Sequence, residues 1–183
     1  MNEAKVRSEV FNLVERLYYW PFSVPNLAAA GIYAPTGRPD ILCLHPTKPS
    51  IVIECKDMTT DTRFDFAEIS GDQRAWLEMW AADGGWGYLA LGTQTGRAGA
   101  DKNPRRIWIV EWSAWMAVEK IALPRKSATI EMISIELEPW RLVFKDSKWH
   151  LPMGHSIGHI YQAEERDLKA WRTIWKETKE KYQ

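Results

Sequence analysis

Asp40, Glu54 and Lys56 are the residues whose types and spacing suggest chemistry, and they lie in one stretch, 37–56, GRPDILCLHPTKPSIVIECK. Two apolar runs, Ile41–Leu44 and 51–53, flank the Pro-rich segment HPTKPS, a pattern that predicts two antiparallel strands joined by a loop. Asp40 opens the first strand. Glu54 and Lys56 close the second and share a face, because side chains alternate along a strand. Two carboxylates and an ammonium would then meet at one end of a sheet. Ionised groups half-buried beside apolar strands cost free energy unless they are paired or bound to a metal. Hard carboxylate oxygens suit Mg2+, which prefers oxygen ligands and keeps several waters. Such an ion stabilises charge building on a phosphate and lowers the pKa of a bound water. A neighbouring lysine would hold or orient that water, or offset charge on the phosphorane. The alternative is a surface hairpin whose Asp, Glu and Lys form a solvated ion pair.

Pro39-Asp40, followed by Glu54-Cys55-Lys56 with hydrophobic strands ahead of and between the charges, resembles the PD-(D/E)XK nuclease superfamily. The resemblance implies an α/β fold with a restriction-endonuclease-like core, a mixed central β-sheet flanked by helices. It implies Asp40 and Glu54 as metal ligands, the Cys55 carbonyl as a further one, and Lys56 positioning or activating water. The cofactor would be Mg2+, with Mn2+ as the alternative, and the reaction phosphodiester hydrolysis in DNA. The resemblance spans roughly residues 5–112 of a single expected domain, with C-terminal strands and a helix in 113–183.

Several elements must position these residues. Residues 2–19 read as a helix with Val6, Val10, Leu13, Val14 and Leu17 on one stripe. Glu9 sits on the margin of that stripe, either reaching the end of the sheet or standing in water. Many such nucleases, junction resolvases included, carry an N-terminal helical glutamate near the metal, and Glu9 is the candidate for it. From Trp20 to Pro39, four prolines with Gly31 and Gly37 exclude a long regular element, although AAAGIY would fit a short strand. Arg38 either contacts phosphate or neutralises Asp40. DMTTDTRFDF reads as a loop leading into a helix over 64–82, whose face is Ile69, Gln73, Trp76, Leu77, Trp80 and Ala81.

A second likeness lies in SGDQRAWLEMWAADGGWGYLALG. In resolvase-like members a glutamine on the helix after the Glu-x-Lys strand precedes a Gly pair and another strand. Asp72-Gln73, Gly84-Gly85 and 87–93 reproduce that order, so Gln73 would hydrogen-bond a phosphate, a metal water or Lys56; an amide satisfied in the core is the other reading. Gly84-Gly85 suits a helix end in the left-handed conformation. Residues 87–93 and 106–112 are rich in β-formers. Between them QTGRAGADKNPRR supplies Arg97, Lys102, Arg105 and Arg106, either a phosphate-binding loop or an ordinary solvated one.

Beyond this, Ser113 would begin a capped helix to Ile121, the alternation in 129–137 suggests a strand, and 140–144 would pair with it. His150, His155 and His159 invite zinc, but no cysteine accompanies them, and loop histidines near a groove or subunit contact fit better. Residues 163–181 form a charged amphipathic helix that would pack on the domain or make a dimer contact. Cys43 and Cys55 read as buried small hydrophobes in a reducing cytoplasm. No apolar run approaches the roughly 20 residues that span a bilayer, and MNEAKVRSEVF lacks a signal-peptide core.

The 24 basic residues balance 24 acidic ones, so a DNA partner would need basic groups gathered locally. The eleven tryptophans are expected to fill the core or a subunit contact, unless some stack on unpaired bases. Glu9 and the Asp-Gln helix favour the Holliday junction resolvase branch, acting as a homodimer on branched DNA because symmetrical cleavage needs two sites. A restriction- or repair-type endonuclease with the same core is the alternative, and a non-cleaving DNA-binding protein of that fold is the rival from another class.

Overall fold

Residues 51–56 are buried without a break, and a strand covered on both faces accommodates such a run. A computed structural model of the chain describes residues 2–17, 20–24, 37–44, 49–58, 62–83, 85–94 and 105–152. Its elements run α1 (Glu3–Arg16), β1 (Trp20–Ser23), β2 (Ile41–Leu44), β3 (Ile51–Asp57), β4 (Arg63–Asp65) and α2 (Gly71–Ala82). They continue with β5 (Trp86–Gln94), β6 (Arg105–Glu111), α3 (Trp112–Ala122), β7 (Ser127–Thr129), α4 (Ile130–Glu136), β8 (Val143–Lys145) and β9 (Lys148–His150). The expectations at Arg97, Lys102, Gly84, His155, His159, the AAAGIY strand and the helix over 163–181 fall outside the described residues.

The main sheet has the order β1-β2-β3-β5-β6. β1, β2 and β3 are antiparallel in sequence, β3 and β5 are parallel, and β6 returns antiparallel. Parallel neighbours need a crossover, and α2 supplies it. The result is an α/β fold with a mixed central sheet between helices. Alternation sends Ile51, Ile53 and Cys55 to one side, where they pack with Val6, Val10, Leu13 and Val14 of α1. Val52 faces the other layer, with Leu77 of α2, Leu89 and Leu91 of β5, Trp108 of β6, and Trp112 and Trp115 of α3. Each fully buried aliphatic side chain of the α1 stripe contributes about 1.5–3 kcal/mol, which outweighs any difference in helix propensity along it. Among the described residues no helix is long and apolar enough to cross a membrane.

The structure adds to the sequence-based reading and corrects it. β1 occupies part of the Pro-rich stretch; it lies at the sheet edge, where Pro21 costs no ladder hydrogen bond on its outer side. The helix read over 64–82 begins only at Gly71. Phe64 instead pairs with Ala128 in a small ladder of β4 and β7, whose strands are far apart in sequence, and a 3-10 turn over Phe66–Glu68 follows. α3 lies where a helix is expected, beginning at Trp112, one residue before Ser113, but it starts without a side-chain cap, and the Ser113 hydroxyl donates to Glu111. The strand expected over 129–137 is α4, capped by the Thr129 side chain, which accepts from Met132 N. Ile130, Ile133 and Leu137 are buried at helical spacing while Ile135 is exposed. Residues 140–144 do not pair with that segment either; β8 forms a hairpin with β9 across Asp146 and Ser147, both at positive φ.

That hairpin is tied to α1 by Arg16, which donates to the Trp149 carbonyl at 2.7 Å. Both cysteines are buried and unbridged. Trp80 fills the space that a side chain at Gly85 would need. Helix and strand readings of 130–137 differ in which isoleucine is covered: Ile133 is 0% and Ile135 73% exposed. Ile133→Ala should therefore cost about 2–4 kcal/mol and Ile135→Ala under about 0.5 kcal/mol; urea titration of both variants measures the contrast, and equal losses would contradict α4.

Candidate active site

The β2–β3 ladder ends on the pair Ile41 and Ile53, and Asp40 and Glu54 are the residues that follow it on the two strands. Asp40 does more than extend the strand. Its Oδ2 accepts from the backbone N–H of Cys55 at 2.8 Å, and its Oδ1 is met by Arg7 Nη1 at 3.4 Å. In a strand the N–H and C=O of one residue point to the same side, so the Cys55 carbonyl also faces β2. Pro39, next to Asp40, has no N–H to give.

Glu54 is 2% exposed. Its Oε1 accepts from Lys56 Nζ at 2.8 Å and from Gln73 Nε2. Its Oε2 is buried with no hydrogen-bond partner among the described residues. Burial, then the adjacent Asp40 carboxylate, pushes the Glu54 carboxyl up to about 8, against the opposing pull of Lys56. At Lys56 burial favours the neutral amine, but the Glu54 carboxylate, with Glu3 and Asp40, outweighs it and holds the ammonium above its ordinary range. Lys56 is therefore a charged donor in this site. The Cys55 thiol points into the opposite layer, where burial first, then Asp40, raises its pKa well above normal.

Gln73 reaches Glu54 because α2 starts where it does. Ser70 and Gln73 form a capping box: Gln73 N donates to Ser70 Oγ at 3.2 Å and Ser70 N to Gln73 Oε1 at 3.0 Å. The amide oxygen is committed to the cap, so the NH2 must face the carboxylate. Gly37, at φ +77°, lies against this first turn; a Cβ there would overlap Asp72 and sit 2.7 Å from Gln73 N. Arg74, next in the helix, grips both Glu119 oxygens of α3 at 2.7 and 2.8 Å and the carbonyls of Phe66 and Ile69. That clamp fixes the rotation of α2 and with it the aim of Gln73.

α1 contributes Glu3, whose Oε2 lies 3.8 Å from Lys56 Nζ, and Arg7. Glu9 stands six residues, about 9 Å, beyond Glu3 and about 200° around the helix from Arg7. Arg38 is half-buried between Gly37 and Pro39. Arg106, half-buried at the start of β6, donates to Ser134 at 3.4 Å. The register sets it across β5 at the same sheet end as Asp57, about 10 Å over two strand spacings; Arg105 precedes it in β6. His150 is exposed at the end of β9, with Nε2 3.3 Å from the Lys145 carbonyl.

Glu3, Arg7, Gly37 and Ser70 were not singled out from sequence. The Ser-x-x-Gln spacing at 70–73 is a readable capping signature; Glu3 and Arg7 look like any exposed helix pair until the fold brings them to the strand ends. Among the described residues no group of three or more His, Cys, Asp or Glu is arranged to hold a metal ion. No family model matches the chain, and no curated protein matches it either.

A carboxyl that ionises later in the folded than in the unfolded chain makes folding less favourable as pH rises between the two values. With chelator present, the protein should lose stability from about pH 5 to about pH 8 on account of Glu54. Glu54→Gln should flatten that slope in thermal melts; parallel profiles for the two proteins would show that Glu54 is not the group responsible.

Proposed function

We propose that this chain is a metal-dependent DNA endonuclease of the PD-(D/E)XK type. The observation that carries the reading is Glu54: a buried carboxylate fixed on one oxygen by Lys56 and Gln73, bare on the other, and adjacent to Asp40. A bare buried carboxylate oxygen is costly and calls for a cation. The donor set fits a hard divalent ion, which needs only one or two carboxylates when waters and substrate phosphates complete its shell. Asp40 Oδ1, Glu54 Oε2 and the Cys55 carbonyl would hold Mg2+ or Mn2+. When bound, such an ion supplies charge stabilisation at the phosphate and acidifies a water.

The remaining roles belong to the chain. Lys56, kept charged by Glu54, donates hydrogen bonds to the attacking water or to phosphate oxygens. Gln73 holds the Glu54 carboxylate in one orientation, as groups hydrogen-bonded to metal ligands do. Arg38 and Arg106 would supply local positive charge to a molecule with none in excess. Support for the restriction-endonuclease-like core comes from the order helix, Asp strand, Glu-x-Lys strand, Gln helix and parallel strand. The Gln73–Glu54 bond favours the Holliday junction resolvase branch, in which a homodimer would bring two such sites to one branched DNA.

Cleavage of four-way junction, linear duplex and single-stranded DNA, with and without Mg2+, tests this. Cutting should require the ion and favour the junction; preference for duplex would point to a restriction or repair enzyme, and binding without cutting to a DNA-binding protein of this fold. Glu54→Gln should abolish cutting while leaving binding. Lys56→Ala should lower kcat by about 10²–10³-fold and Gln73→Ala by about 10–100-fold. Undiminished cutting by Glu54→Gln would remove Glu54 from the mechanism.

A further inference from the structure

Arg7 is the cation that touches Asp40, and it does so loosely. Its 3.4 Å contact exceeds the 2.7–3.2 Å of a sound N–H···O bond. A guanidinium carries five donors in a planar fork. The Arg7 side chain is 38% exposed while that of Asp40 is 15% exposed, so the fork meets the site on one side and solvent on the other. Holding Asp40 is a weak reason for its presence, because an ion pair this open is worth about 0–1 kcal/mol.

Charge balance supplies a stronger one. With all three carboxyls ionised, as a bound cation would require, Glu3, Asp40 and Glu54 face Lys56 and Arg7 and leave the cluster one negative charge in excess. A divalent ion and one phosphodiester group together bring it to neutrality, provided Arg7 stays. The place open to Arg7 is then the phosphate, since Asp40 Oδ1 is an oxygen the ion would take.

We infer that Arg7 is a substrate-phosphate contact that rests on Asp40 in the ion-free protein and transfers to a DNA phosphate next to the cleavage centre. The inference rests on the nuclease reading above. It makes Arg7 a rival of the ion in free protein and an anchor for the nucleic acid in the complex, two roles that move different measurements. A phosphate anchor adds affinity without regard to base sequence.

The test compares wild type, Arg7→Ala, Arg7→Gln and Arg7→Lys, using Ca2+ to hold DNA without cutting and Mn2+ resonance to measure ion binding. Thermal melts confirm folding, which an exposed side chain should not disturb. Arg7→Ala and Arg7→Gln should bind a four-way junction and a linear duplex about tenfold more weakly, a change of about 1.4 kcal/mol. Their plots of log Kd against log salt should lose about one unit of slope. Arg7→Lys should recover the slope and only part of the affinity, lacking the fork. Without DNA, Mn2+ should bind the alanine variant at least as tightly as wild type, and in cleavage KM should rise more than kcat falls.

Unchanged DNA affinity and salt slope in a variant of an active wild type would overturn the role of Arg7 alone. Loss of Mn2+ affinity without loss of DNA affinity would make Arg7 a mere support for Asp40 and overturn it equally. A wild type that binds neither ion nor DNA would remove the nuclease reading and this inference together.

Discussion

The candidate site depends on one carboxyl group buried beside a central strand. Glu54 lies in a sheet with packed layers on both faces, and removing such a charge from water costs several kcal/mol unless neighbours replace the solvent. Lys56 and Gln73 replace it on one oxygen and nothing described replaces it on the other. The half-compensated group cannot be explained by packing, since a leucine there would be cheaper. It is the kind of local conflict with folding rules that functional sites retain.

The surroundings are arranged to tolerate it. The first turns of α1 and α2 both converge on the strand ends, Glu3 and Arg7 from one side and Gln73 from the other. The positive ends of two helix dipoles thus lie near three carboxylates, which favours their ionised forms and any anion they help to bind. The α2 turn is doubly constrained: Gly37 packs on it where no larger residue fits, and the Arg74–Glu119 pair locks the helix against α3. Trp115 Nε1 donates to the same Glu119 oxygen at 2.7 Å, and Arg74 stacks over Trp112 at 5.7 Å. A partly buried, fully bonded Arg–Glu pair of this type serves orientation more than stability. The tryptophans of α3 therefore bear on the candidate site indirectly, through the helix that carries Gln73.

The candidate site joins residues from four separate segments, so it exists only in the folded chain. Asp40 and Glu54 meet through strand pairing, Lys56 through alternation along β3, Gln73 through a crossover helix, and Glu3 with Arg7 through the packing of α1. Pro39, next to Asp40, has no N–H to add to the ladder. A site built this way is rigid where it borrows sheet geometry and adjustable where it borrows long side chains, of which Glu3 and Arg7 are the most exposed.

Sequence alone determined what local periodicity and neighbour spacing encode. The apolar stripe of α1, the β2–β3 hairpin, the shared face of Glu54 and Lys56, and the pair of strands at 87–93 and 106–112 all follow from patterns a few residues long. Tertiary structure decided the rest. Residues 63–65 became a strand because a partner more than sixty positions away offered a ladder, and 130–136 became a helix because burial at spacings of three and four outweighed an apparent alternation. It also brought Glu3 and Arg7 to the strand ends, since helix docking, and not the wheel, sets which turn lies there. Short-range order is written in propensities; which groups meet across the fold depends on contacts that no local window of the chain contains.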